Sequence, residues 1–285
     1  MRRKMLMICI SLYLVTNIYS QTRFFDLCKQ GTADEIREAV LNGESLKERD
    51  SLYGDTPLLI ISAYNTNPGC IKTVIELGAS IKERNEYGMN ALIYGVRYNI
   101  DEKIIKEILE TGIDVNSVME NGISALQMAT ANNPNSEITK LLIEAGANIF
   151  YKNEFGYTAI LYAARNESEG VINELIQHGA SVHDRNAMGE MNVLMTAVVD
   201  NINPKVIKLV LQAGANINDV DKTNSTALIL ASKKSSNQEI ILELLAYEPD
   251  IFIKDNQGRD ALDYMKSNRK LNNTEAFYKL VEMYY

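Results

Sequence analysis

The residues with the greatest chemical potential in this chain are few and scattered. His178 and His183 are its only histidines, and they flank a single glycine turn at Gly179. A zinc site takes three or four ligands, and no cysteine or acidic cluster stands beside this pair to complete one. The chain carries no HExxH, GxxxxGK, GxGxxG or GxSxG segment, so zinc-hydrolase, phosphate-loop, dinucleotide and serine-hydrolase chemistries lack their usual signatures. His178 is expected to cap a helix end near its last carbonyls, and His183 to lie in a connection. The acidic pairs Asp34/Glu35 and Asp101/Glu102 suit helix starts, where negative charge meets the positive end of the backbone dipole. Neither catalytic residues, nor metal ligands, nor a cofactor are expected. What remains is binding chemistry: tyrosine and arginine, the side chains that dominate interface hot spots, recur at regular intervals.

Those intervals belong to a repeat. Gly54, Gly88, Gly122, Gly156 and Gly189 are 34, 34, 34 and 33 residues apart, and Gly258 follows after 69, with Asn224 at the intervening position. Each marker opens a similar segment: GDTPLL, GMNALI, GISALQ, GYTAIL, GEMNVLM, NSTALI and GRDALD. A fixed period of this size signals stacked units, each burying its apolar face only against its neighbours.

One period, residues 85–118, shows the anatomy. NEYG is a turn signal, because Asn and Gly tolerate left-handed backbone angles. NALIYGVRY reads as a short helix, NID breaks it, and EKIIKEILETG reads as a second helix with Ile104, Ile105, Ile108 and Leu109 on one face. Gly112 stops that helix, as Gly78, Gly146, Gly179 and Gly214 stop its counterparts. The inter-helix loops carry Asn, often with Pro, which breaks helices. Leu58, Leu92, Leu126, Ile160, Leu194 and Leu228 recur in the first helix and are expected to be buried between units.

DTPLLIISA, SALQMATANNPNSEITKLLIEAGANI and TAILYAARNESEGVINELIQHGASV resemble ankyrin repeats. The resemblance covers about residues 24–285, and the Asn-Pro loops resemble those of bacterial members of the family. It implies an all-α repeat solenoid of stacked helix-loop-helix units with short β-turn or hairpin tips. The expected divisions are an N-terminal capping helix pair over 21–50, six repeats over 51–84, 85–118, 119–152, 153–185, 186–220 and 221–254, and a C-terminal cap over 255–285. One departure stands out. The family's usual His after TPL is replaced by Leu59, Ile93, Gln127, Leu161, Met195, Ile229 and Asp263. The hydrogen bonds between repeats that this His supplies are therefore expected to give way largely to apolar packing. Irregularity is expected near Gly189, with its extra residue, and at Glu248-Pro249.

The resemblance also implies a non-enzymatic protein-binding scaffold whose concave side is lined by turn tips and first-helix ends. The tips carry Tyr53, Tyr87 and Phe155, with Tyr157 just after its glycine, and the helix ends carry Tyr64, Arg97, Tyr98, Arg165, Lys233 and Lys234. The binding set is Tyr53, Tyr64, Tyr87, Arg97, Tyr98, Phe155, Tyr157 and Arg165. The same aromatics would also serve to brace adjacent turns, and the two readings are both open. A protein partner and a monomeric chain are expected. With a net charge of −8, nucleic acid is not an expected partner, since phosphate neutralisation needs clustered cations.

The first twenty residues differ in kind. MRRK is basic, MLMICISLYLVTNI is uncharged and largely apolar, and YSQT is polar. This is the pattern of a secretory signal cleaved near Ser20–Gln21, so an exported protein is expected, periplasmic or secreted; a retained membrane tether is the alternative. Export would make a disulfide between Cys28 and Cys70 chemically possible. The repeat alignment offers a plainer reading, in which Cys28 fills a small-residue slot and Cys70 a core slot, both as buried thiols.

Overall fold

In the computed structural model the structure describes residues 23–200 and 203–285; the expected signal segment lies outside them. The described residues fall into two compact units, one ending at Glu120 and the other beginning at Asn121.

In the first unit, residues 23–30 form helix α1, followed by α2 (Ala33–Leu41), α3 (Pro57–Tyr64), α4 (Cys70–Glu76), α5 (Ala91–Tyr98) and α6 (Glu102–Glu110). Helix α3 packs on α5, while α2, α4 and α6 pack in sequence beside them. In the second unit come α7 (Ala125–Asn132), α8 (Ser136–Glu144), α9 (Ala159–Ala163), α10 (Glu169–Gln177), α11 (Val193–Asp200), α12 (Pro204–Gln212), α13 (Ala227–Lys234), α14 (Gln238–Leu245), α15 (Ala261–Ser267) and α16 (Glu275–Glu282). Odd-numbered helices pack on odd and even on even, and each pair closes on itself, giving two layers. Among the described residues there is no strand; the tips contribute only isolated bridges, Arg185–Asn192 and Val220–Thr226.

Helices of five to nine residues are too short to persist alone in water, so packing and capping must hold them. Helix α3 is apolar nearly all round, with every residue from Pro57 to Ala63 buried. The even helices bury one stripe, such as Ile104, Ile105 and Ile108 on α6. The recurring Leu58, Leu92, Leu126, Ile160, Leu194 and Leu228 are all buried to within 1% of full exclusion. Starts are capped by side chains: Asn90 accepts from Ile93 N–H, Asp101 from Lys103 N–H, and Ser124 with Gln127 closes a reciprocal box. Thr32 and Glu35 close another, which gives the glutamate of that acidic pair a structural role. The stopping glycines Gly78, Gly112, Gly146, Gly179 and Gly214 all have left-handed backbone.

Two features stand where the sequence departs from the regular pattern. Gly189 is not left-handed; the extra residue of that repeat shifts the conformation to Glu190, at φ 57°. The missing histidines are also only partly replaced by packing. Leu59, Ile93, Leu161, Met195 and Ile229 are indeed buried, but hydrogen bonds between repeats persist through asparagine. Asn65 Nδ2 donates to the carbonyls of Cys28 and Gly31, and Asn99 Nδ2 to those of Ser62 and Asn65. Asn166 does the same to Thr130 and Asn133, and Asn268 to Ser232 and Ser235. Each of these asparagines follows the odd helix of its repeat and satisfies carbonyls at the end of the preceding one, groups that a helix C-terminus leaves without internal partners. Gln127, at a histidine position, adds bonds from Nε2 to the carbonyls of Tyr151 and Tyr157.

Candidate functional site

The tips are built by an Asn or Asp that folds the turn around its own side chain. Asp50 Oδ1 accepts from the N–H groups of Tyr53 and Asp55, and Asn85 Oδ1 from those of Tyr87 and Met89. Tips are also tied to one another: Glu86 N–H donates to the Tyr53 carbonyl at 3.0 Å, and Arg49 Nη1 reaches both Gly54 and Arg84 carbonyls. This pairing sets Tyr87 beside Tyr53, with ring centroids 5.9 Å apart.

At the helix ends a second aromatic group forms. Tyr64 ends α3, and Tyr94 and Tyr98 stand four apart on α5, one turn above the other. Tyr64 lies 5.9 Å from Tyr98 and 6.2 Å from Tyr94, the latter edge-on, while Tyr94 meets Tyr98 edge-on at 5.0 Å. The Arg97 guanidinium sits 5.0 Å from the Tyr98 ring centre, within cation–π range. Together these side chains line a hollow of about 520 Å³. Tyr53, Tyr64 and Tyr98 are 44–45% exposed and Tyr87 54%, so ring contacts between repeats consume only part of each surface.

Two residues of the lining, Tyr94 and Asn85, are held by buried Asp55. Tyr94 is 4% exposed and donates its hydroxyl to Asp55 Oδ2 at 2.6 Å; Asn85 Nδ2 donates to Asp55 Oδ1 at 2.9 Å. Burial raises the Asp55 carboxyl above the ordinary aspartate range; the two donors oppose the shift, and Asp50 nearby adds to it. Burial and the bond to Asp55 together raise the Tyr94 hydroxyl, which therefore stays a donor at neutral pH. Sequence reasoning missed both residues. Their signals were the Tyr94/Tyr98 spacing of four and an aspartate directly after Gly54.

Five of the eight predicted binding residues thus converge: Tyr53, Tyr64, Tyr87, Arg97 and Tyr98. The other three lie in the second unit and have other partners. Phe155 is 48% exposed at its tip. Tyr157 packs on Tyr162 at 5.2 Å, and its hydroxyl accepts from Asn186 Nδ2. Arg165 pairs with Asp200, Nε to Oδ2, at 3.3 Å.

The residues singled out for chemistry have structural partners. His178 caps α10, its Nδ1 lying 2.8 Å from the Glu174 carbonyl, and His183 is exposed in a connection. Cys28 and Cys70 are free, buried thiols. Burial pushes Cys28 up to about 12 and Cys70 up to about 11, so neither supplies a thiolate at neutral pH. Among the described residues no group of three or more His, Cys, Asp or Glu is arranged to hold a metal ion, and no helix is long and apolar enough to cross a membrane.

Comparison with known proteins agrees with this architecture. A family model described as ankyrin repeats (3 copies) matches three times, over residues 24–119, 101–186 and 188–283. Among solved structures, the ankyrin repeat domain of Bcl-3, a unique member of the IkappaB protein family, is similar with a TM-score of 0.62 at 22% identity, over 77% of this chain and 97% of that one. No curated protein matches the sequence. The chain belongs to the ankyrin repeat family.

Proposed function

We propose that this protein is a non-enzymatic scaffold that binds a protein partner through the tyrosine-lined hollow of its first unit. The observation that carries the reading is the set of four tyrosines around that hollow, each left 44–54% exposed although the stack has aliphatic residues in plenty. Tyrosine offers large, rigid, amphipathic contact area at low entropic cost, and the repeat frame holds it ready, which lowers the cost of binding. Arg97 adds one positive charge and the hydroxyls add hydrogen bonds, a combination suited to an extended protein segment with acidic or polar groups. Phe155, Tyr157 and Arg165 are proposed as a subsidiary contact of the second unit. No metal or cofactor takes part, and the working form is a monomer.

Photo-crosslinking from position 87, in extract of the cells that make the protein, identifies the partner; its affinity is then measured with Tyr87→Ala/Tyr98→Ala. Affinity is expected to fall by about 2 kcal/mol or more, while loss of ring contacts lowers stability by only about 1–2 kcal/mol. A folded double variant that binds as well as the parent removes these residues from the site and leaves them as braces between turns.

We further infer export, with cleavage near Ser20–Gln21, supported by the basic start and short apolar run of the sequence. The N-terminal mass of the protein purified from its native cells is the check: a chain beginning at Met1 and embedded in membrane would instead support the tethered scaffold.

A further inference from the structure

At the C-terminal end of the second unit a hollow of about 590 Å³ is lined by five cations, Lys233, Lys234, Arg259, Arg269 and Lys270. They come from three places: the end of α13, the tip before α15, and the loop after it. All five are exposed. Clustering them is unfavourable by mutual repulsion, and in a chain with 37 acidic and 29 basic residues neutralising partners are plentiful. Elsewhere they are used: Arg37 pairs with Glu76, Lys152 with Asp184, Arg185 with Asp219 and Lys205 with Glu169. Among the described residues none of the five forms a salt bridge.

Two of them are positioned rather than loose. The Arg259 guanidinium lies 4.4 Å from the Tyr264 ring centre and the Lys233 ammonium 5.0 Å from it. The ring is fixed in turn by its hydroxyl, which donates to buried Asp255 at 2.5 Å. Asp255 accepts the Tyr264 hydroxyl and the Arg259 N–H, and its charge acts on Arg259 from beneath the ring. An aromatic face can hold cations without neutralising them, leaving their charge directed outward. Several backbone N–H groups of the lining are already taken: that of Ser235 by the Ala231 carbonyl, of Asn268 by the Tyr264 carbonyl, of Arg259 by Asp255 and of Lys270 by Asn268. Charges carried on long side chains from three segments fit several carboxylates along a chain better than one compact phosphate.

We propose that this hollow binds an acidic polypeptide segment rich in Asp or Glu, independently of the tyrosine site in the first unit. The probe is a fluorescein-labelled peptide of alternating Glu and Gly, titrated by anisotropy at low salt. The full chain is expected to bind it, with affinity falling as salt is added. Lys234→Glu/Lys270→Glu is expected to weaken binding about tenfold or more. Lys103→Glu/Lys106→Glu, the same charge change on exposed positions of α6, is expected to leave it within about twofold. Tyr87→Ala/Tyr98→Ala is expected to leave it unchanged, which separates this site from the tyrosine hollow. The proposal is overturned if the parent does not bind, if both charge-reversed variants weaken binding equally, or if inorganic phosphate displaces the peptide at lower concentration than free Glu-Gly peptide does. Circular dichroism melts establish that each variant is folded.

Discussion

Asn99 shows how one side chain ties a repeat to the one before it. It is buried, and its amide reaches two carbonyls of the preceding repeat at 3.3 and 2.8 Å. Asn99→Ala removes both bonds and leaves two buried acceptors unpaired, so a loss of about 1–3 kcal/mol is expected in urea unfolding; a change within experimental error would reduce the ladder to decoration. Asp55 makes a different demand. Its carboxyl is raised above the unfolded value, so the native state holds that proton more tightly than the unfolded chain. Stability from this group is therefore present at low pH and is lost as pH rises through the raised value. Asp55→Asn does not titrate. The stability of the parent relative to Asp55→Asn is expected to increase as pH falls from 7 toward the ordinary aspartate range. The opposite slope would mean that Tyr94 and Asn85 outweigh burial.

At the scale of the element, the even helices end on a left-handed residue, and glycine adopts it without penalty. Glu248 stands 34 residues after Gly214 and takes the same conformation at φ 51°. This explains how the chain keeps its connection where the sequence suggested irregularity. A non-glycine residue there costs about 1–2 kcal/mol, while glycine adds about 0.4–1 kcal/mol of unfolded-state entropy to be lost. Glu248→Gly is thus expected to raise stability by about 0.5–1 kcal/mol. A lower melting temperature in that variant would show that the glutamate side chain contributes something the backbone argument omits. At the tips, the same logic explains why the insertion beside Gly189 moves the left-handed residue to Glu190: the turn has one such position, and the register of the flanking bonds decides who fills it.

For the molecule as a whole, stability comes from many similar interfaces between units rather than from one closed core. Leu126 is 1% exposed in α7, which packs on both α8 and α9. Leu126→Ala is expected to cost about 2–5 kcal/mol; a loss under about 0.5 kcal/mol in denaturant unfolding would refute its place in the stack. The two candidate binding surfaces occupy different units and differ in chemistry, one aromatic and one cationic. That arrangement suits a scaffold, because a repeat surface diverges freely so long as the stacking positions stay apolar.

Much of this was readable in the amino-acid order because the repeat is written in backbone needs. A glycine or asparagine every 34 residues or so marks where the chain must turn left-handed, and the apolar spacing marks which faces must meet. Those requirements follow from φ/ψ sterics and period, so the stacking leucines and the buried thiols could be located. The tertiary structure decided what period alone leaves free: where each polar side chain points once units are stacked. Tyr94 and Asp55 are 39 residues apart in sequence and meet only because neighbouring repeats sit in one register. The same register brings five of the predicted binding residues around one hollow and gives Tyr157 and Arg165 partners of their own. Asparagine in the loops looked like a helix breaker, and only the approach of the preceding repeat's carbonyls makes it a hydrogen-bonding rung. A side chain's partner is set by distances between units, and those distances exist only in the folded stack.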